Sequence, residues 1–173
     1  MFTVAQREMT DRLSETFGFL GYLRTIAPQE LIPLDDLQKT LRGLWLVSLY
    51  AAFERSVNAI FEQFLIEISR HNYRMCQCNP FMHSIIHLSK IKSIKDSSYD
   101  KIFDKSAALF NEVFGDELIS FSENPLSNKL MNVGGSTLTW ISSIIGAPQF
   151  DGNQANLRRL DSLRERRNAV DHG

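Results

Sequence analysis

Residues 33–70 read PLDDLQKTLRGLWLVSLYAAFERSVNAIFEQFLIEISR. Apolar side chains recur there at Leu34, Leu37, Leu41, Leu44, Trp45, Leu49, Ala52, Ile60, Phe64 and Ile68, three or four residues apart for most of its length, which is the period of one face of an α-helix. Pro33 suits the first turn of such a helix, where its missing N–H is not needed. Unbroken to Arg70, the helix would be roughly 50 Å long at 1.5 Å per residue. That length makes it the expected spine of a bundle, with Gly43 as the place for a kink.

The flanking sequence extends the same reading. Thr3 with Gln6 suits a capping box, and Met9, Leu13, Phe17, Leu20 and Leu23 follow along one face to about Ile26. A shorter apolar segment around Ile85, Ile86, Leu88 and Ile91 is closed by polar Lys95 to Ser98. Tyr99 to Phe114 predicts a helix with Ile102, Phe103, Phe110 and Val113 inward and Gly115 just past its end. Ser136 or Thr137 can cap a helix carrying Leu138, Ile141, Ile144 and Ile145, ended by Gly146, and Pro148 to Gln154 reads as a loop. A last helix opens at Asn156, while Asp116 to Gly135 has no clear period. No strand pattern or internal repeat competes, so the expected fold is an all-α bundle with one long central helix.

Composition narrows the class. With 173 residues, 43% of them hydrophobic and 23% charged, the chain can bury a core of its own, and a single domain over 1–173 is expected. The formal net charge is −1, so a nucleic-acid partner would have to meet a local basic patch. The two cysteines, Cys76 and Cys78, sit too close together to staple distant segments. The first residues lack an apolar signal core, and no run approaches the ~20 apolar residues of a membrane span. A soluble protein of the cytoplasm, with no membrane partner, is the expectation.

Positive charge is concentrated near the end. Between Asn156 and Arg167 lie Arg158, Arg159, Arg164, Arg166 and Arg167 against Asp161 and Glu165, a local charge of +3 in a chain that is otherwise −4. Arg158, Arg159 and Glu165 fit a solvated face. Arg167 does not, because at about 100° per residue it projects within some 20° of Leu160 and 40° of Leu163. A guanidinium on an apolar face must be paired or must line a polar cleft. Asp171, four residues on, is one candidate partner.

Residues 167–173 read RNAVDHG. The Arg167-x4-His172 spacing resembles the R-x4-6-H signature of HEPN domains, a helical superfamily with many metal-independent endoribonucleases. The run from Ser127-Asn128 through the short helix ending at Gly146 to the arginine-rich last helix is similar to the C-terminal half of stand-alone prokaryotic HEPN toxin-like proteins. Residues 46–58, LVSLYAAFERSVN, resemble their long helix, which carries a glutamate among small and apolar residues. The resemblance implies a homodimer acting on RNA, with Arg167 and His172 catalytic, Asn168 orienting the pair, Glu54 supporting it, and Arg164 and Arg166 binding RNA. It also implies products with a 2′,3′-cyclic phosphate and a 5′-hydroxyl, and a cognate antitoxin as a further partner. Asp171 departs from the usual small apolar residue, and it either raises the imidazole pKa or neutralises Arg167. The sequence stops at Gly173 where such proteins continue into more helix, so a shortened form is expected.

Metal-free cleavage of RNA needs a base for the 2′-OH, an acid for the leaving 5′-oxygen and positive charge facing the transition state. On a straight helix Arg167 and His172 stand roughly 7.5 Å apart along the axis and about 140° apart around it. Unwinding at Gly173 could bring His172 back, and a two-fold dimer could supply a second Arg167 and His172 to one cleft. No cofactor and no metal are expected for this chemistry. His71, Cys76, Cys78, His83 and His87 share one region, but C-x-C is not the usual C-x2-4-C zinc spacing, and ordinary loop and helix positions are the simpler reading. A non-catalytic helical module binding RNA, nucleotide or protein is the alternative function, with Arg167 held by Asp171.

Overall fold

A computed structural model describes residues 3–27, 35–146 and 154–172, the last two by their backbone alone. Within them run helices α1 (Thr3–Thr25), α2 (Asp36–Arg70), α3 (Pro80–Ile86), α4 (Leu88–Lys95), α5 (Tyr99–Val113), α6 (Gly135–Ile145) and α7 (Gln154–His172), with short 3-10 turns at Met75–Gln77 and Ser127–Lys129. The fold is an all-α bundle built on one long helix. Among the described residues, β-type pairing is confined to a single bridge between Arg74 and Leu118.

Helix α2 begins later than the proline suggests. Asp35 is its N-cap, its carboxylate accepting from the Gln38 backbone N–H at 2.6 Å while the Gln38 side chain reaches back to the Asp35 N–H at 3.3 Å. Pro33 and Leu34 lie outside the described residues, as do Pro148 to Asn153 of the expected loop, whereas Gln154 is already helical, so α7 starts two residues before Asn156. The 35 residues of α2 form one helix through Gly43, and that glycine serves contact instead of bending. A Cβ added there would sit 3.3 Å from a Val170 methyl of α7.

The buried line along α2 is Tyr50, Ala52, Ser56, Phe61 and Leu65, while Leu37, Leu44 and Ile60 are exposed. The line differs from the sequence stripe because the partners change along the helix. Helix α1 packs antiparallel on its first half, where Trp45 Nε1 donates to the Thr16 carbonyl at 3.0 Å and Gln38 Nε2 to that of Ile26 at 3.1 Å. Thr16 occupies the packing line of α1, and Phe17, expected inward, is exposed.

In the second half, Phe61 and Leu65 join Met82 and Ile85 of α3, Ile141 and Ile144 of α6, and Leu126 and Leu130 from the segment between α5 and α6. This irregular segment also buries Ile119 and Val133. Helix α6 is capped at Gly134, two residues before Ser136 and three before Thr137, and closes at Gly146 with φ 65°, a left-handed C-cap that favours glycine. Helix α5 packs on α4 and on the 75–77 turn. Ile102 and Val113 are half-buried there as expected, but Phe103 and Phe110 face solvent.

Candidate functional site

Tyr50, Glu54 and Asn58 are four residues apart and share one face of α2. The segment 130–133 is tied to this face. Asn58 Nδ2 donates to the Leu130 carbonyl at 3.2 Å, and the Tyr50 hydroxyl donates to the Val133 carbonyl at 2.8 Å with Asn132 Oδ1 beside it at 3.3 Å. Asn132 takes a left-handed backbone, φ 69°, which asparagine tolerates better than most side chains. Tyr50 is fully buried.

Helix α7 lies across this platform and beside the start of α6. Asp161 of α7 accepts from the Gly135 N–H at 3.0 Å, so a carboxylate of one helix satisfies the N-terminus of another. Arg164 Nη2 approaches the same carboxylate at 3.6 Å. The approach leaves little room for a side chain at either position: at Gly134 the Arg164 and Asp161 side-chain ends would have to move, and at Gly135 the Leu157 backbone is among the neighbours. A Cβ at Gly134 would lie 2.3 Å from Arg164 Nη1 and 2.6 Å from Asp161 Oδ1, and one at Gly135 would lie 3.1 Å from Leu157 Cβ.

Two turns further along, Arg167 reaches the platform. Its guanidinium carbon stands 4.8 Å from the Tyr50 ring centroid, a cation–π arrangement, and Nη2 is 3.6 Å from Glu54 Oε2. Nη1 donates to Asn168 Oδ1 at 3.0 Å. The Arg167 and Glu54 side chains are 26% and 19% exposed, so the ion pair is only partly screened by water. Glu54 Oε2 is buried with no hydrogen-bond partner among the described residues, which leaves the Arg167 charge as its evident compensation.

Burial pushes the Tyr50 phenol up to about 12, with Glu54 adding to the shift and Arg167 and Arg164 opposing it. The hydroxyl therefore stays protonated at neutral pH and acts as a donor to Val133, not as a base.

Of the residues singled out from sequence, Arg167, Asn168 and Glu54 come together in one cluster. Arg164 sits one turn earlier, paired with Asp161, and Arg166 is exposed. His172 is the last residue of α7, helical in its backbone, and its side chain, like that of Asp171, lies outside the described residues, as does Gly173. Because the backbone of α7 stays helical through His172, the register positions of Arg167 and His172 are separated by about 140° around the helix axis.

Sequence reasoning missed Tyr50 as the support of Arg167, Asp161 as the clamp, and the glycine pair that admits the clamp. The four-residue spacing from Tyr50 to Glu54 was the available signal for the first. Nothing local marks Asp161, since its partner is 26 residues away.

The other polar cluster does not converge in the same way. Cys76 is exposed, His71 stacks on Tyr73, and His83 stacks on His87 with ring centroids 5.7 Å apart. Among the described residues no group of three or more His, Cys, Asp or Glu side chains is placed to hold a metal ion.

Compared with protein families, residues 7–173 match the family described as RiboL-PSP-HEPN. The chain belongs to that family. No curated protein matches it, and neither does any solved structure. In this RiboL-PSP-HEPN chain the R-x4-H segment is the last turn and a half of α7, and Arg167 enters the bundle beside Glu54 of α2. No helix among the described residues is long and apolar enough to cross a membrane.

Proposed function

We propose that the chain acts as a single HEPN domain and is a metal-independent endoribonuclease of toxin or host-defence type, working in the cytoplasm as a homodimer. The observation that carries this reading is the placement of Arg167, which is held between the Tyr50 face and the Glu54 carboxylate in a family member whose His172 follows at R-x4-H spacing. A cation fixed in this way needs no reorganisation when charge develops on a nearby phosphate.

His172 of one copy takes the proton from the ribose 2′-OH, and the 2′-oxygen attacks phosphorus. The P–O5′ bond breaks, and the imidazolium of the second copy protonates the departing O5′. A 2′,3′-cyclic phosphate and a 5′-hydroxyl result, with no water consumed. The wide angle between Arg167 and His172 on a straight α7 supports sharing the site between two copies, because one helix cannot aim both at one phosphate. Asn168 fixes the guanidinium plane, Glu54 holds it from behind, and Arg164 and Arg166 meet the RNA backbone. A cognate antitoxin would bind over this face.

The test is cleavage of single-stranded RNA by purified protein in excess chelator. Cleavage is expected with a cyclic-phosphate product end, with DNA of the same sequence resistant. His172→Ala should lower the rate by about 100-fold or more, and Arg167→Ala by roughly 100- to 1,000-fold. Full activity in His172→Ala would remove the catalytic assignment.

One observation favours a second reading. Glu54 and Asn168 both occupy the Arg167 guanidinium, as they would in a non-catalytic module that binds RNA, nucleotide or a partner protein. Under that reading the protein is inert in the cleavage assay and binds RNA equally well with and without His172.

A further inference from the structure

The outer edge of α5 carries Tyr99, Phe103, Phe110 and Phe114, exposed by 75, 64, 58 and 78%. At 100° per residue the four project within about 60° of one another, as one aromatic ridge roughly 22 Å long. Packing on α4 and the 75–77 turn covers only the adjacent flank, where Ile102, Lys105, Leu109 and Val113 are half-buried. An apolar ridge of this size on a folded domain marks a contact surface.

Its spacing says what the contact is with. The aromatic positions follow the intervals four, seven and four, so the pattern is the same read in either direction, and its midpoint falls between Ser106 and Ala107. An isologous interface requires a patch that matches itself under a two-fold axis, and a palindromic ridge with small residues at its centre brings every ring onto a ring of the partner under such an axis.

We propose that α5 is a self-association surface on which two copies of this chain pair their α5 helices antiparallel. The two-fold axis passes at Ser106 and Ala107, setting Tyr99 against Phe114 of the partner subunit and Phe103 against Phe110 of the partner subunit. Ser106 and Ala107 let the helix axes approach, and the rings interlock on either side. An aromatic side chain buries about 150–250 Å² when covered. Eight rings at their present exposure therefore remove on the order of 1,000 Å² from water, the lower bound for a biological interface, to which the residues between the rings add. This surface is separate from the Arg167 cluster, since α7 packs on α2 and α6. The inference does not rest on the ribonuclease reading, and with a shared catalytic cleft it would join dimers into larger assemblies.

The test measures mass by light scattering on the full chain. Phe103→Glu with Phe110→Glu is expected to reduce the assembled mass by half or more while circular dichroism and the melting temperature stay within a few degrees. An unchanged mass in the folded variant overturns the proposal. Register is checked in a Cys76→Ser, Cys78→Ser background. Ala107→Cys should form a disulfide-linked dimer on mild oxidation, whereas Tyr99→Cys alone should not, and Tyr99→Cys mixed with Phe114→Cys should. Cross-linking of Tyr99→Cys to itself would mean a parallel pairing and overturn the antiparallel register. Because Arg167→Ala leaves α5 intact, loss of cleavage with retained association, or the reverse, separates failure of one reading from failure of the other.

Discussion

Helices α5 and α7 differ in how they are held. Along α5 the apolar residues segregate cleanly, yet its aromatic ridge faces solvent and only one flank touches the bundle. Helix α7 is crowded with arginine and, among its described residues, has no fully buried side chain. It is nevertheless fastened at three levels: Asp161 on the Gly135 N–H, Arg167 on Tyr50 and Glu54, and Val170 at Gly43. Amphipathicity reports what a helix can bury somewhere, including against another molecule. Placement within one chain can instead come from a few charged and glycine contacts that no hydrophobic period reveals.

The largest effect expected on the seating of α7 tests whether the glycine contacts really locate it. In Gly135→Val the Cβ alone would lie 3.0 Å from Asp161 Oδ2, 3.1 Å from Leu157 Cβ and 3.3 Å from the Leu157 carbonyl oxygen, and two methyl groups follow it. The carboxylate can swing away, but the Leu157 backbone cannot without moving α7. Overpacking of this kind costs about 1–3 kcal/mol, or roughly 3–10 °C in melting temperature for a chain of this size. A melting temperature unchanged within a degree would show that α7 is not seated by this approach.

The next effect concerns the ion pair. Arg167→Ala leaves Glu54 Oε2 buried without its compensating charge. Since Glu54 keeps about a fifth of its exposure, the expected loss is about 1–2 kcal/mol, below that of a fully buried pair. Glu54→Gln in the Arg167→Ala background should recover much of it. Denaturant midpoints of the two single variants and the double measure the coupling, and additivity within about 0.3 kcal/mol would mean the pair is ornamental.

These contacts explain what was legible in the sequence and what was not. Helical periodicity in residues 36–70 and the glycine at 146 were readable because they are local in sequence, as was Arg167 as a cation on the wrong face of its helix. The direction in which α2 buries Phe61 and Leu65 fully and Phe64 only partly, leaving Ile60 exposed, depends on α3 and α6, which a single-helix pattern does not contain. The same holds for segment 116–134, which buries Ile119, Leu126, Leu130 and Val133 without helical or strand period. Glu54 was readable as a member of the cluster only through resemblance, and Tyr50 beneath Arg167 only from the folded chain.

A smaller effect sits where α5 meets its support. His87, 3% exposed between α3 and α4, stacks on His83, and its Nδ1 lies 3.5 Å from Glu112 Oε2 of α5, which also pairs with Lys90. Burial lowers the His87 pKa below its ordinary 6.5, with Glu112 opposing and His83 and Lys90 reinforcing the shift. The unfolded chain therefore takes up the proton first as pH falls. Stability from this group is fully present above pH 6.5 and declines below it until the depressed folded pKa is passed. Thermal melts from pH 7.5 to 5 should show that decline, and His87→Gln should flatten it. An equal slope in the variant would assign the decline to other groups.

The smallest expected effect on the isolated chain is the sharpest contrast with α7. Phe110 makes most of its surface available to solvent, so Phe110→Ser removes little that folding of one copy buries. Unfolding in dilute solution should move by no more than about 0.5 kcal/mol. The same substitution should abolish any rise of melting temperature with protein concentration, because that rise reports association coupled to folding. By comparison, Phe61→Ala within the shared core should cost about 3–5 kcal/mol at every concentration. If Phe110→Ser were as destabilising as Phe61→Ala in dilute solution, the ridge would be packed within its own chain, and the difference between the two helices would vanish. If instead it changed neither stability nor concentration dependence, α5 would be an amphipathic helix whose second face has no use in self-association.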